Sequence, residues 1–332
     1  MTRGITIRRL LQASLLGVLV AAGATIAAEE QLGPKTGVPD GYKIIEGDII
    51  VPEDFTFDSG GGLSTQATYL KTNWWPGGSV PYEFDANVTA GNKTAMIAAM
   101  AEWEAVAHIN FYQRTTESDH LHIQDSDQNS SAVGRSGGEQ TVNIYNWNYK
   151  FIMAHELGHA LGFWHEQSRP DRDTYVTINT GSITDDMEYN FDKHADAGMY
   201  GTYDFDSVMH YGQCAFVSGC SCPASCAAIT VKAPWHDTWQ DALGQRDHFS
   251  TLDILGMQML YPEPGDTFVD KNYTGGTQNG SFMAPYKTFT GGASHVPSWG
   301  RVIIQPATYT ASAGVYTKAM TLRAPLGGVL LK

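Results

Sequence analysis

The central part of this chain, residues 67–262, predicts an α+β domain in which a sheet is backed by helices. Three observations carry that prediction. Apolar residues alternate with polar or small ones at Val80, Tyr82 and Phe84, again at Leu121 and Ile123, and again at Val142 and Ile144, the period of half-buried strands. Met96, Met100, Trp103 and Ala107 recur instead at helical spacing, a stripe suited to core packing. A second helical pattern starts near Lys150, so the order strand, helix, strand, strand, helix brings both periods into one domain.

Taken from the amino end, the first element is an address. Arg3, Arg8 and Arg9 precede an apolar run from Leu10 to Ala22, and Ala22-Gly23-Ala24 and Ile26-Ala27-Ala28 offer small-residue cleavage sites. Residues 1–28 therefore read as a secretory signal peptide; a membrane anchor competes, but the run is short for a span. Residues 29–66 follow as an extended leader marked by Pro34, Pro39, Pro52 and Gly60-Gly61-Gly62. The first helix has Thr89 and Asn92 as candidate caps. Beyond Tyr261-Pro262-Glu263-Pro264-Gly265 the pattern changes, and residues 263–332 show short apolar strands between glycine-rich turns, a β-rich tail.

The charge pattern supports these boundaries and excludes some partners. The net charge is −14, and removing residues 1–28 takes away three arginines and no acid, leaving −17. The tail carries three acids and six bases, so the excess of acid lies on residues 29–262. Such a surface repels phosphate backbones, and no nucleic-acid partner is expected. With 42% hydrophobic and 17% charged residues the chain has enough apolar material for a core, which excludes global disorder. No further segment is apolar enough to span a bilayer, so the product is expected outside the cytoplasm, extracellular or periplasmic. Cys214, Cys220, Cys222 and Cys226 all fall within thirteen residues. In an exported protein they read as two local disulfides with three possible pairings, of which joining Cys220 to Cys222 is geometrically poor; a four-thiolate zinc site is the alternative.

The chemistry is concentrated in Phe151 to Gly162, FIMAHELGHALG. His155 and His159 are one helical turn apart on one face and suit a single zinc ion, while Glu156 beside them reaches a water as general base. Gly162 can end the helix in a left-handed conformation and turn the chain back, letting His165 supply a third nitrogen. Three protein ligands leave a fourth position open, as in catalytic zinc sites. The full spacing HExxHxxGxxH arises by chance in on the order of one in ten thousand chains of this length, which sets it far above the five-residue match. Downstream, Ser207-Val208-Met209-His210-Tyr211 supplies a methionine turn, the second half of the metzincin signature, with Met209 as a packed floor rather than a ligand.

The stretch HELGHALGFWHEQSRPDRDTYV, residues 155–176, together with SVMHY, resembles the astacin family of zinc endopeptidases. Trp75-Pro76-Gly77-Gly78 with Pro81-Tyr82, Arg114 to Asp119 (RTTESD), and Leu243-Gly244-Gln245-Arg246 follow in the family's order, so the resemblance spans roughly Gln66 to Pro262. It implies a metzincin-like α+β fold with a twisted mixed sheet, one Zn2+ held by His155, His159 and His165, Glu156 as base, and protein or peptide substrates. It implies that Tyr211 stabilises the oxyanion and that Glu166 anchors a new amino terminus after activation. From position alone, a core tyrosine and a surface acid compete with those two roles. Glu46-Gly47-Asp48 resembles the family's latency motif, with Asp48 in the place meant for water, against an ordinary Gly-Asp turn; the aromatic usual before it is Ile45 here. The implied mature start lies near Gln66 or Ala67. The family also suggests a preference for acidic residues after the scissile bond, for which no basic pocket residue stands out.

The cysteines depart from the long-range disulfides of animal members, and adhesion modules do not follow the domain, so the chain looks like a microbial secreted protease. The tail resembles the first coils of a right-handed parallel β-helix and is a candidate for binding a surface polymer or protein; a small β appendage fits as well. An active endopeptidase, a silent zinc scaffold and an adhesive protein working through its tail are the competing function classes.

Overall fold

The computed structural model describes residues 37–55, 73–195, 197–223, 226–311 and 316–332. The signal-peptide reading, the first part of the leader and the mature start near Gln66 fall outside the described residues. Two compact units are present, one running to Pro264 and the other from Gly265 to Lys332.

The larger unit is built on a seven-stranded mixed sheet. Its strands are β1 (Tyr42–Ile45), β2 (Ile49–Pro52), β3 (Ser79–Phe84), β4 (Asn110–Gln113), β5 (His120–Asp125), β6 (Ser130–Ala132) and β7 (Glu139–Ile144), in the spatial order β1-β2-β6-β7-β5-β3-β4. The alternating residues behave as their period requires. Val80, Leu121, Ile123, Val142 and Ile144 are fully buried on one face. Against that face pack α1 (Ala90–Glu104), capped by the Thr89 side chain on the Asn92 N–H, and α2 (Lys150–Leu161). Met96, Met100 and Trp103 supply the stripe of α1, and the indole N–H groups of Trp103 and Trp75 donate to the carbonyls of Ala154 and Ala160 in α2, each at 2.8 Å. Two buried tryptophans thus fix the helix that carries the histidines.

The leader is more than extended chain. β1 and β2 form an antiparallel hairpin, and β2 joins the rest of the sheet by pairing in parallel with β6, Ile49 opposite Ser131 and Ile50 opposite Ala132. Ile45, Ile49 and Val51 bury into a cluster with Trp164 and Ala197. Sequence patterning missed this because β6 has only three residues, Ser130, Ser131 and Ala132, with no apolar alternation.

After α2 the chain runs through short turns into β8 (Val176–Ile178), which pairs antiparallel with β9 (Ile229–Val231), then α3 (His236–Trp239) and α4 (Thr251–Leu260). Ser250 and Asp253 form a reciprocal cap at the start of α4. Between β8 and β9 the disulfides Cys214–Cys222 and Cys220–Cys226 staple a local loop, one of the pairings that avoids joining Cys220 to Cys222. The smaller unit has β10 (Asp266–Val269), α5 (Phe289–His295), β11 (Arg301–Ile304), β12 (Thr308–Tyr309), β13 (Thr321–Arg323) and β14 (Leu330–Leu331). All of its ladders, β10-β11-β13 and β12-β14, are parallel. Val269, Phe289, Val296, Val302 and Tyr309 form its own buried core. Among the described residues no helix is long and apolar enough to cross a membrane.

Candidate active site

Gly162 ends α2 in the left-handed region, φ +117°, where its N–H reaches the carbonyls of Gly158 and His159. The reversal brings His165 back under the helix, as the spacing requires. Each histidine has its outer nitrogen engaged: Nδ1 of His155 with the Val208 carbonyl at 2.8 Å, of His159 with the Phe163 carbonyl at 2.7 Å, and of His165 with the Glu46 carboxylate at 2.6 Å. Those contacts fix the tautomers and aim all three Nε2 atoms inward.

The inward nitrogens converge on Asp48. Nε2 of His155 lies 3.1 Å from Asp48 Oδ2, while Nε2 of His165 and His159 lie 3.3 and 3.6 Å from Oδ1. The Nε2 atoms of His155 and His165 are 3.3 Å apart, close to the edge of a tetrahedron with metal–nitrogen bonds of 2.0–2.1 Å, which is about 3.3–3.4 Å. All four side chains are buried, and neither His159 Nε2 nor Asp48 Oδ1 has a hydrogen-bond partner. Three converging buried nitrogens and a carboxylate are the donor set zinc takes, so the residues fit that ion.

The electrostatics agree. Burial opposes a charge on Asp48, but the His165 charge and the close approach of the other two imidazoles outweigh it and hold the carboxyl well below its ordinary range. Burial likewise opposes a charged His165, yet Asp48 and Glu46 push it up to about 10. The cluster calls for positive charge at its centre.

The floor of the site is the turn at residues 207–211. Asp253 at the start of α4 accepts from Ser207 Oγ at 2.6 Å and from the Val208 N–H at 2.8 Å, and the Glu166 N–H reaches the Met209 carbonyl at 3.0 Å. Met209 packs against α2 so closely that a Cβ on Gly158 would lie 2.8 Å from its sulfur. Glycine at position 158 is what allows that approach. Tyr211 lies against His165, ring centroids 4.4 Å apart, and its hydroxyl donates to the Glu46 carbonyl. Glu156 is buried next to the first ligand at 1% exposure.

Glu166 is buried rather than on the surface. Its Oε1 accepts from Arg169 Nη1 at 3.1 Å and from the Asp204 N–H at 2.8 Å, and burial pushes its carboxyl up to about 7 despite Arg169. A small pocket lies beside it, lined also by Asp204, Ser207, Met209 and Asp253.

Two neighbours of the histidines were given no role of their own by the sequence. Glu46 bridges Nδ1 of His165 and Nε2 of His194, and His194 packs edge-on against Trp164. Glu46 had its place in the leader motif as a signal, whereas His194 lies in an irregular segment with no spacing that marks it.

The family model described as Astacin, a peptidase family, matches residues 66–262. The chain belongs to the astacin family. Its similar proteins include Tolloid-like protein 2 of Homo sapiens, 38% identical over 222 residues, which are 64% of this chain and 20% of that protein. High choriolytic enzyme 1 of Oryzias latipes is 31% identical over 225 residues, 66% of this chain and 77% of that protein. The solved structure of that hatching enzyme zinc-protease superposes with a TM-score of 0.53 at 33% identity, covering 60% of this chain and 98% of the other. The chain spans about a fifth of the length of the tolloid-like proteins it matches. The astacin domain here is therefore a zinc metalloendopeptidase domain with the metzincin-like α+β fold.

Proposed function

We propose that this astacin-family chain is exported as a latent zymogen and becomes an endopeptidase acting on protein and peptide substrates once its leader is cut. The observation that carries the reading is Asp48, delivered by the β1–β2 hairpin to the point where the three Nε2 atoms meet. A carboxylate there takes the place a nucleophilic water needs, and the hairpin that carries it is buried against Trp164 and Ala197.

When bound, zinc supplies Lewis acidity toward water and the scissile carbonyl. His155, His159 and His165 hold it. Glu156 takes a proton from the attacking water and passes it to the departing amine nitrogen. The Tyr211 hydroxyl, tied to the Glu46 carbonyl in the latent form, turns on leader removal to donate to the oxyanion that develops at the carbonyl oxygen. Met209 stays beneath as packing. Glu166 and the adjacent acidic pocket receive the ammonium of a new amino terminus near Gln66 or Ala67, where Asp204 and Asp253 add to the attraction. Residues 1–28 serve as the export signal and the two disulfides suit an oxidising compartment, extracellular or periplasmic. The parallel ladders of residues 265–332 support a β-helix-like appendage that binds a surface polymer or protein.

The test is hydrolysis of an unfolded protein by the full chain and by a chain trimmed to start near Ala67, with and without a zinc chelator. Cleavage by the trimmed form only, abolished by chelator and restored by Zn2+, is the expected result. A folded, zinc-loaded, trimmed protein that cleaves nothing overturns the reading in favour of a silent scaffold.

A further inference from the structure

The outer face of the seven-stranded sheet carries a second convergence of ligand atoms that the peptidase chemistry does not use. Leu121 and Ile123 are fully buried on the inner face, so His120 and His122 stand on the other. The parallel registers set His120 opposite Glu139 and His122 opposite Glu83, which puts all four on one face.

His120 is only 2% exposed although it belongs to the outer face. Its Nδ1 lies 2.9 Å from the Ser118 carbonyl, an acceptor, so that nitrogen carries the proton and donates. Nε2 faces Glu83 Oε1 at 3.4 Å and Glu139 Oε2 at 3.5 Å, and in the neutral ring it offers them a lone pair. Among the described residues Nε2 has no hydrogen-bond partner. One imidazole lone pair and two carboxylate oxygens, all within 4.8 Å of one another, repel unless a metal ion or a proton on Nε2 stands between them. Glu83 is held in a ligating orientation by two neighbours: Arg114 Nη1 donates to Oε2 at 2.8 Å, and His122 Nδ1 lies 3.2 Å from Oε1. The Arg114 hydrogen bond in particular holds the Glu83 carboxyl below its ordinary range, keeping it ionised. An Nδ1–H donated to a backbone carbonyl is also the outer-shell arrangement of a metal-binding histidine.

We propose that Glu83, His120 and Glu139 form a second metal site, one that takes a divalent first-row transition ion such as Zn2+. An imidazole with two carboxylates suits such an ion better than Ca2+ or Mg2+, which favour all-oxygen sets. Glu139 is more than half exposed, so water completes the coordination from the solvent side.

The experiment is equilibrium dialysis of the purified full chain against low-micromolar free Zn2+, followed by elemental analysis. The wild type is expected to hold two zinc ions per chain, and His120→Gln and Glu139→Gln one each, with the Glu139→Gln site weakened by about tenfold or more. The exposed position of Glu139 keeps the test valid if His120→Gln fails to fold. A variant carrying His155→Gln and His159→Gln should retain the outer ion. One zinc per wild-type chain overturns the proposal and leaves a protonated His120 between the two acids. A second zinc that persists in both outer-face variants overturns it as well.

Discussion

Replacing Asp48 with alanine in the uncleaved chain should leave most of the latency in place, because the carboxylate is only one of the leader's anchors. Ile45, Ile49, Ile50 and Val51 are 8%, 0%, 4% and 4% exposed, and burying each such side chain is worth about 1.5–3 kcal/mol, or about 6–12 kcal/mol gross for the four. Removing one partner of a buried charged set costs about 3–5 kcal/mol, so apolar anchoring outweighs the carboxylate by about two to one. The Asn143 side chain also donates to the Gly37 carbonyl at 3.1 Å, and the Ser131 N–H to the Asp48 carbonyl at 2.8 Å, neither needing the Asp48 side chain. A residual docking preference of only about 1.4 kcal/mol keeps the hairpin in place in roughly nine molecules of ten. Peptide hydrolysis by uncleaved Asp48→Ala is therefore expected below about a tenth of that of the trimmed wild type. Adding Ile49→Ala and Val51→Ala, each worth about 1–5 kcal/mol, should raise it sharply. Full activity from uncleaved Asp48→Ala alone would refute the reasoning, since latency would then rest on one ligand and not on the hairpin.

Trimmed Glu156→Gln should keep its zinc by elemental analysis but lose about a hundredfold to ten-thousandfold in kcat, and near-normal turnover would remove Glu156 as the base. Tyr211→Phe should lower kcat more than it raises KM; a change in KM alone would count against an oxyanion role. Gly158→Ala places a Cβ 2.8 Å from the Met209 sulfur and 3.4 Å from Trp103 Cζ2, and overpacking of about 1–3 kcal/mol should exceed the helix gain of about 1 kcal/mol. Its Tm should fall, and an unchanged or higher Tm would mean the methionine yields freely. Burial, with Asp253 and Glu166 adding, pushes Asp204 up to about 8, against about 3.9 in an unfolded chain. The folded state then binds the extra proton, so the Asp204 contribution is fully present below about pH 4 and is lost as pH rises toward 8. The Tm of the uncleaved wild type minus that of Asp204→Asn should decrease between those limits, and a constant difference would contradict the raised value.

Some of this protein is written in local sequence alone. The four-residue spacing of His155 and His159, the glycine at 162 and the position of His165 dictate a three-nitrogen site because helical geometry and a left-handed cap operate over a few residues. The strand alternation at 80–84, 120–125 and 139–144 and the α1 stripe are legible for the same reason. Short-range physics also put His120 and His122 on one side of a strand. Other features exist only because distant segments meet. Asp48 stands 107 residues before His155, and the leader hairpin finds the sheet through β6, whose three small residues carry no periodic signal. The burial of Glu166, its neighbours Asp204 and Asp253, and the bridge from Glu46 to His194 are likewise products of packing. Spacing in sequence determines which groups share one element's face; which faces then confront each other, and how dry the space between them is, depends on burial summed over the whole domain.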